Sequence, residues 1–400
     1  MIAADVSAAA AEELRDNVVN VDSLQSAAAA ARDTVGELRD PQTLAERYRM
    51  GVRAAPVAAA SPKLASGRER GRHGPASIRR VTPRVARVDL ETFETVEILE
   101  IPNSAGNHSF AITENSEYLI AGTRFAIPSP QRDMSIDEMK GNFKGPLTFV
   151  KVDQETGGLE IAFQVVMPGF NFDLAHPGRD ASHGWMFATT YNTEEANTLL
   201  EVNASQNDKD FIVALNWKKI EEYVKNGGGE KIDAQYAHNI FDHHTQQATS
   251  EMKSGILTVN PIDIPGAVYF MPTPKSPHGC DVDPTGEYIV GSGKLAAELT
   301  VFSFSRIQKA IADKNFAGEV YGMPVLNYDA ILGGVVKEPG LGPLHTEFDG
   351  KGFAYTTFFI SSEVVKWRLE DYQVIDRKPT YYSVGHMMIP GGNSRKPFGK

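Results

Sequence analysis

The chain of 400 residues has a single cysteine, Cys280. One cysteine excludes a disulfide within the chain and any paired-cysteine zinc or copper site. The cysteine count does not identify the cellular compartment, because exported proteins can also lack disulfides. An excess of positive charge is also missing, since the formal net charge is −11. This balance argues against a general nucleic-acid binder, which needs a basic face for phosphates. No apolar run in the sequence approaches the roughly 18 residues of a membrane span.

Aromatic residues are nearly absent from residues 1–80, where Tyr48 is the only one. The stretches "VSAAAAEELRDNVVNV" and "LQSAAAAARDTVGELRD" have helical composition, and "PVAAASPKLASGRERGRHGPASIRR" has that of a disordered linker. The start lacks a basic stretch, and Glu12 and Glu13 interrupt any apolar one, so it is not a convincing signal peptide. We expect residues 1–80 to be disordered or weakly helical and residues 81–400 to form the folded domain.

Strand patterns dominate from Val81 onward. The stretch "RVARVDLETFETVEILEI" (84–101) contains two strands around a polar turn, and "LTFVKVDQETGGLEIAFQV" (147–165) repeats this pattern. The sequence therefore predicts an all-β fold after the first 80 residues, built from recurring hairpins.

A second repeat begins each time with a histidine. The stretches "HSFAITENSEYLIAG", "HGCDVDPTGEYIVGS" and "HTEFDGKGFAYTTFF" place a tyrosine ten residues after the histidine, with turn residues between two strands. Two hairpins make a four-stranded unit, and its recurrence every roughly 40 to 70 residues indicates the blades of a β-propeller. We expect a partial blade near 81–101, full blades that open near residues 108, 183, 278 and 345, and an interrupted blade at residue 386.

The histidines that begin these repeats are candidate metal ligands: His108, His278, His345 and His386. In a propeller the first strand of each blade lines the central channel, so repeat-equivalent residues should converge at one end of it. Imidazole ligation suits copper, zinc, iron or nickel. Because more than three or four histidines exceed what one zinc ion binds, a multinuclear centre is expected if further blades add ligands.

The remaining histidines lack this repeat context. The adjacent pair His243 and His244 in "FDHHTQQA" lies in a polar insertion, which predicts a solvated loop. His183 leads into a strand without the following turn, so we interpret it as structural. The others lie in irregular polar sequence: His73, His176 and His238.

Four longer motifs resemble nitrous-oxide reductase: "SPHGCDVDPTGEYIVGSGKL", "GLGPLHTEFDGKGFAYTTFFISSEVVKW", "YNTEEANTLLEVNASQNDKDFIV" and "SVGHMMIPGG". The resemblance covers about residues 81–400. It implies a seven-bladed propeller followed by a cupredoxin domain with a binuclear copper centre, in a periplasmic homodimer. It also implies a tetranuclear copper–sulfide cluster, held by seven histidines at the propeller hub. That cluster would reduce nitrous oxide to dinitrogen and water with electrons from a donor such as a cytochrome c or a cupredoxin. The four candidate histidines match four of the seven.

The resemblance further implies a calcium ion beside the cluster. Its motif matches "YNTE", which gives Tyr191 and Glu194, and its later aspartate matches Asp210. Two further ligands would be backbone carbonyls near Val202 and at Ser276. Oxygen ligands of this kind suit calcium, and an ordinary surface turn is the alternative for the three side chains.

The sequence departs from the family's pattern near both ends. A histidine pair is implied shortly before "TPRVARVDL", where "SGRERGRHGPASIRR" stands instead. The seventh histidine, an electrostatically important lysine and the second copper domain would follow Lys400. Because four imidazoles would not hold the full cluster, we expect this chain alone to be inactive. Two other hypotheses remain: a non-catalytic binding propeller, which the shared spacing from histidine to tyrosine disfavours, and a reductase sequence altered by a frameshift or misassembly.

Overall fold

The computed structural model of the chain describes residues 83–128 except 90, then 135, 138, 141–193, 210–234 and 255–389 except 275. Within these ranges it does not describe the side chains of residues 105–108, 125, 128 and 191–193. The chain divides into two units, residues 1–77 and 78–400, and every described residue belongs to the second. The expectation for residues 1–80 therefore lies outside the described residues.

The described residues form five β-sheets, and their strands are numbered along the chain. The first sheet is the hairpin of β1 (Arg84–Val88) and β2 (Thr95–Glu100). The second sheet contains β3 (Ala105–Ile112), β4 (Tyr118–Phe125), β5 (Ile127–Pro128), β6 (Phe143–Val152), β7 (Leu159–Pro168), β11 (Glu230–Ile232) and β12 (Ile256–Val259). The third contains β8 (Phe170–Pro177), β9 (Trp185–Thr193), β10 (Phe211–Asn216), β13 (Val268–Pro272), β17 (Phe316–Val320) and β18 (Met323–Leu326).

The last two sheets have four strands each. One contains β14 (Pro277–Val282), β15 (Tyr288–Gly293), β16 (Glu298–Ser303) and β19 (Leu332–Lys337). The other contains β20 (Pro343–Phe348), β21 (Phe353–Phe358), β22 (Glu363–Arg368) and β23 (Val374–Pro379). Among the described residues, the connections include the helices α1 (Trp217–Lys225), α2 (Phe304–Ala312) and α3 (Tyr328–Ile331). No helix among the described residues is long and apolar enough to cross a membrane.

Four of the sheets contain an antiparallel meander of four strands, and each meander is one blade. In order along the chain, blades 2 to 5 are β3–β4–β6–β7, β8–β9–β10–β13, β14–β15–β16–β19 and β20–β21–β22–β23, and the β1–β2 hairpin is a partial blade 1. The first strands of consecutive blades pack on one another, β3 on β8, β8 on β14 and β14 on β20. These strands therefore surround a common axis, and the predicted all-β propeller is confirmed.

Two blades carry additional outer strands. The connection between the third and fourth strands of blade 3 contributes β11 and β12 to blade 2, where β12 runs parallel to β7. The equivalent connection of blade 4 contributes β17 and β18 to blade 3, where β18 runs parallel to β13. Each addition covers an outer sheet edge, which would otherwise present unpaired backbone groups.

The expected opening of blade 3 near His183 is wrong. Its first strand is β8, and His183 lies in the turn that leads to β9, directly after the 3₁₀ turn Asp180–Ser182. The other repeats begin with a histidine, whereas β8 has Asp173 at the corresponding point. His176 also lies in β8 rather than in irregular sequence.

Apolar and aromatic side chains fill the space between neighbouring blades. One buried cluster joins Phe149 and Phe163 of blade 2 to Phe170 of blade 3, and the first two rings are stacked with centroids 4.5 Å apart. Another joins blades 4 and 5 around Trp367, whose indole N–H donates to Thr356 Oγ1 at 2.9 Å. This packing fixes the positions of the inner strands, on which the candidate site lies.

Candidate metal centre

A β-bulge interrupts the inner strand of each full blade at a similar point. In β14 the register shifts between Pro277 and Cys280, and in β20 it shifts between Pro343 and Thr346. A bulge adds one residue to a strand and re-aims the side chains within it. These two bulges contain His278 and His345.

The other two inner strands have corresponding bulges. In β3 the register shifts between Asn107 and Ser109, so the bulge contains His108, whose side chain is not described. In β8 the register shifts between Phe172 and Ala175, and the bulge contains Asp173 where other blades have a histidine. Together, the four bulges therefore contain three histidines and one aspartate.

Three of the four predicted histidines come together. The Nε2 atoms of His278 and His345 are 3.1 Å apart. His386, in the segment after β23, has its ring centroid 4.0 Å from that of His345 and 6.0 Å from that of His278. One nitrogen from each of the three rings lies within 4.8 Å of the others. Whether these side chains bind a metal remains a prediction.

Asp173 anchors His278 from the neighbouring blade. Its side chain is only 2% exposed, and its Oδ2 accepts the Nδ1–H of His278 at 2.7 Å. Arg124 contacts Oδ1 at 3.0 Å and Lys294 contacts Oδ2 at 3.2 Å, so two cations balance the buried carboxylate. Because the carboxylate accepts from Nδ1, Nε2 is the nitrogen that His278 presents towards His345. Thr189 Oγ1 also donates to the backbone carbonyl of His278 at 2.8 Å.

Sequence reasoning missed Asp173. Its partner His278 is 105 residues away, and "FNFDLAHP" does not begin like the other repeats. The available signal was positional: once β8 is placed as the inner strand of blade 3, Asp173 falls where the other blades have histidine.

The donor set fits imidazole ligation of one transition-metal ion, for which copper, zinc, iron and nickel are all suitable. Two imidazole nitrogens bound tetrahedrally to one zinc ion at about 2.0–2.1 Å lie about 3.3 Å apart, and the observed Nε2 separation is 3.1 Å. His345 is 9% exposed, and His386 lies at the exposed side of the group. The three rings thus suit one ion. A four-copper cluster would need the additional histidines that the resemblance implies.

Cys280 is not part of this donor set. It is buried between blades, and its thiol donates to the carbonyl of Phe187 at 3.3 Å. Burial raises the pKa of the Cys280 thiol well above its usual value, and the Asp281 carboxylate adds to this shift. A protonated, core-facing thiol is a poor copper ligand, because copper is bound by the thiolate.

The structure gives His183 a role between blades 2 and 3. Its Nδ1 lies 3.1 Å from a carboxylate oxygen of Glu114, and its Nε2 lies 3.5 Å from one of Glu117. The ring also packs edge-on against Trp217, with centroids 5.6 Å apart. These contacts agree with the structural interpretation of His183. The pair His243 and His244, like His73 and His238, lies outside the described residues.

Two of the five predicted calcium ligands are adjacent. The Oδ2 of Asp210 accepts the backbone N–H of Ser276 at 3.1 Å, and the Ser276 carbonyl accepts the N–H of Lys294 at 2.9 Å. Tyr191 lies in β9 without a described side chain, and the remaining two, Glu194 and Val202, lie outside the described residues. The calcium site stays a prediction.

Comparisons with solved structures give distant likenesses. The hydrazine synthase of Kuenenia stuttgartiensis has a TM-score of 0.45 and 13% identity, over 73% of this chain and 66% of that one. A periplasmic gluconolactonase of Pseudomonas aeruginosa has a TM-score of 0.41 and 13% identity, over 74% and 64%. TM-scores this low do not establish a shared fold. The propeller assignment is therefore based on the strand order described above.

Comparison with curated proteins is more informative, although no family model matches the chain. The nitrous-oxide reductase of Pseudomonas fluorescens is 30% identical over 293 residues, which are 72% of this chain and 40% of the relative. That of Stutzerimonas stutzeri is 31% identical over 292 residues, with the same coverage. That of Cupriavidus necator is 30% identical over 334 residues, 77% of this chain and 45% of the relative. The chain therefore spans less than half the length of the curated relatives it matches. Motifs and comparisons agree: over 72–77% of its own length the chain is similar to nitrous-oxide reductases, and the resemblance drawn from its sequence is confirmed.

Proposed function

We propose that this chain forms the copper-binding hub of a nitrous-oxide-reducing enzyme. The observation that carries the proposal is the convergence of His278, His345 and His386 on one point from three stretches of the chain. Bound copper would supply electrons and Lewis acidity for the cleavage of the nitrogen–oxygen bond. The names of the relatives support nitrous oxide as the substrate.

The chain's own residues would prepare the site before any ion arrives. The inner strands of packed blades hold the imidazoles at fixed positions, which favours one ligand geometry. Asp173 holds the Nδ1–H of His278, so the tautomer and the ring orientation are set. His108, in the bulge of β3, is the fourth proposed ligand.

The finer features of the family are part of the same proposal. They are a tetranuclear copper–sulfide cluster completed by further histidines, a periplasmic homodimer, and electrons delivered by a cytochrome c or a cupredoxin through a second copper domain. Calcium would bind at Tyr191, Glu194, Val202, Asp210 and Ser276, and the contact between Asp210 and Ser276 supports this placement.

Anaerobic titration with copper(I) against a chromophoric chelator tests the proposal on the full 400-residue chain. We expect His278→Ala and His345→Ala each to weaken copper binding at least about 100-fold, since each removes a direct ligand. The matched control is His183→Ala, which removes an interblade histidine outside the group and should change the affinity less than about 3-fold. Equal binding by all three variants would contradict the assignment and favour a non-catalytic propeller. Consumption of nitrous oxide by the copper-loaded chain, followed by gas chromatography, would show that the histidines of this chain suffice for the reaction.

A further inference from the structure

The backbones of β14 and β20 approach closely beside the two facing histidines. A Cβ atom on Gly279 would lie 2.3 Å from the carbonyl oxygen of Leu344 and 2.8 Å from Oδ2 of Asp281. Real Cβ atoms do not reach such distances, and a backbone carbonyl cannot rotate away as the end of a flexible side chain can. The strands can therefore keep this separation only if residue 279 is glycine.

The bulge that contains His345 is held by side chains. The N–H of His345 donates to Thr357 Oγ1 at 3.2 Å, within blade 5. The next N–H, that of Thr346, donates to Oδ2 of Asp281 at 2.7 Å, across to blade 4. Asp281 follows His278 by three residues on β14. This strand therefore carries both the candidate ligand His278 and the carboxyl group that holds the bulge of the neighbouring strand β20.

Charged groups surround this carboxyl from several elements. Glu347 faces it from β20 and Arg179 from the segment after β8, while the Thr346 N–H binds it directly. Burial raises the pKa of Asp281 to about 8, the Glu347 carboxylate adds to the rise, and the Thr346 N–H and Arg179 oppose it. Either protonation state retains an oxygen that accepts the Thr346 N–H.

We infer that Gly279 and Asp281 are positioning residues that set the distance between the imidazoles of His278 and His345. Gly279 lets the two inner strands approach, and Asp281 fixes the bulge of β20 against β14. The Nε2 atoms are brought to 3.1 Å by this pair of contacts together with the anchoring of His278 by Asp173. The inference rests on the proposed copper function for its consequence, whereas the contact itself joins protein groups only.

Hydrogen exchange of the Thr346 amide in the metal-free chain tests the contact. Asp281→Ala should accelerate exchange at this amide at least about 10-fold, because its acceptor is removed. Asp281→Asn keeps an acceptor oxygen and should restore exchange to within about 3-fold of the original chain. The matched control is Asp349→Ala, which removes a carboxyl that accepts the N–H groups of Lys351 and Phe353 at the turn of blade 5. If Asp281→Ala does not fold, Asp281→Ser is measured in its place.

Copper(I) affinity and X-ray absorption test the consequence for the site. We expect Asp281→Ala to weaken binding about 10- to 100-fold and to lower the number of imidazoles per copper, with recovery in Asp281→Asn. Gly279→Ala should act in the same direction. Its control is Gly141→Ala, since nothing lies within 4 Å of a Cβ placed there.

The outcomes separate the inference from the function on which it rests. Unchanged exchange at Thr346 in Asp281→Ala, or an equal loss of copper affinity in Asp349→Ala, would overturn the positioning role. Failure of the original chain to bind copper would overturn the proposed function instead, and the exchange result would still decide whether the contact holds the bulge.

Discussion

The Asp173 carboxylate contacts one candidate ligand and two cations from different parts of the chain. It is nearly inaccessible to solvent and accepts from His278 Nδ1 while contacting Arg124 and Lys294. Replacement by asparagine would remove the negative charge and could place an NH₂ group against Nδ1–H. A buried group left with unsuitable partners costs more than a lost surface contact.

We therefore expect Asp173→Asn to weaken copper(I) binding about 10- to 100-fold, the usual effect of losing a hydrogen-bond partner of a metal-bound histidine. The measurement is the same chelator competition as for the histidine variants. Asp153→Asn is the control, because Asp153 is an exposed carboxyl that accepts from Glu155 and Thr156 in the turn between β6 and β7. Unchanged affinity in Asp173→Asn would show that the ring orientation of His278 does not depend on this carboxylate.

Asp281 also predicts a pH dependence of stability. Burial raises its pKa from 3.8 in the unfolded chain to about 8 in the folded one, so the folded state binds more protons between these values. Its contribution to stability is therefore complete below about pH 4 and is lost as the pH rises through about 8. His176 has the opposite sign, since burial, followed by the charge of Arg179, lowers its pKa from 6.5 to about 3. Its contribution is present above about pH 6.5 and is lost as the pH falls through about 3.

Because the two effects overlap, the measurable quantity is the difference between variants. We expect the melting temperature of the metal-free chain, relative to that of Asp281→Asn, to decrease from pH 4.5 to pH 8 and then to level off. Differential scanning calorimetry at matched ionic strength gives both profiles. A difference that is constant across this range would show that Asp281 does not titrate between the two pKa values.

The strands and hairpins could be predicted from sequence because their signals are local. Alternation of apolar residues, turn residues and a fixed spacing from histidine to tyrosine identified the inner strands of blades 2, 4 and 5. The start of blade 3 was predicted at the wrong residue, because its inner strand β8 has Asp173 at the point where the other repeats have a histidine. A repeat that is recognised by one residue type is missed in a blade that has a different residue there, as blade 3 has Asp173.

The bulges could not be predicted in the same way, and neither could the hairpins β11–β12 and β17–β18, each of which joins the sheet of the preceding blade. A bulge inserts one residue into a register that only the partner strand reveals, as Cys280 pairs with Gly291 after Pro277 pairs with Gly293. Similarly, the position of β17 and β18 on blade 3 depends on parallel pairing with β13, a strand far away along the chain. Local sequence specifies that such segments form strands, whereas packing between blades decides which edge they join.

The proposed site joins parts of the molecule that are otherwise held together by interblade packing. Asp173 belongs to blade 3, His278 to blade 4 and His345 to blade 5, and His386 follows the last described strand. Blades 4 and 5 share the apolar cluster around Trp367, which consists of side chains alone. An ion at the histidines would add a second connection between the same blades, at the axis instead of between the sheets.

This arrangement predicts that copper stabilises the folded chain. A ligand that binds only the folded state at about 100 times its dissociation constant adds about 2.7 kcal/mol, and any copper bound by the unfolded chain reduces this gain. We expect copper(I) to raise the melting temperature by several degrees, as measured anaerobically by differential scanning fluorimetry. The shift should be absent in His278→Ala and His345→Ala, because each leaves an ion attached to fewer blades. It should persist in His183→Ala, whose contacts join blades 2 and 3. An equal shift in all four proteins would place the stabilising copper elsewhere on the chain and would remove the physical link between the histidine group and the propeller hub.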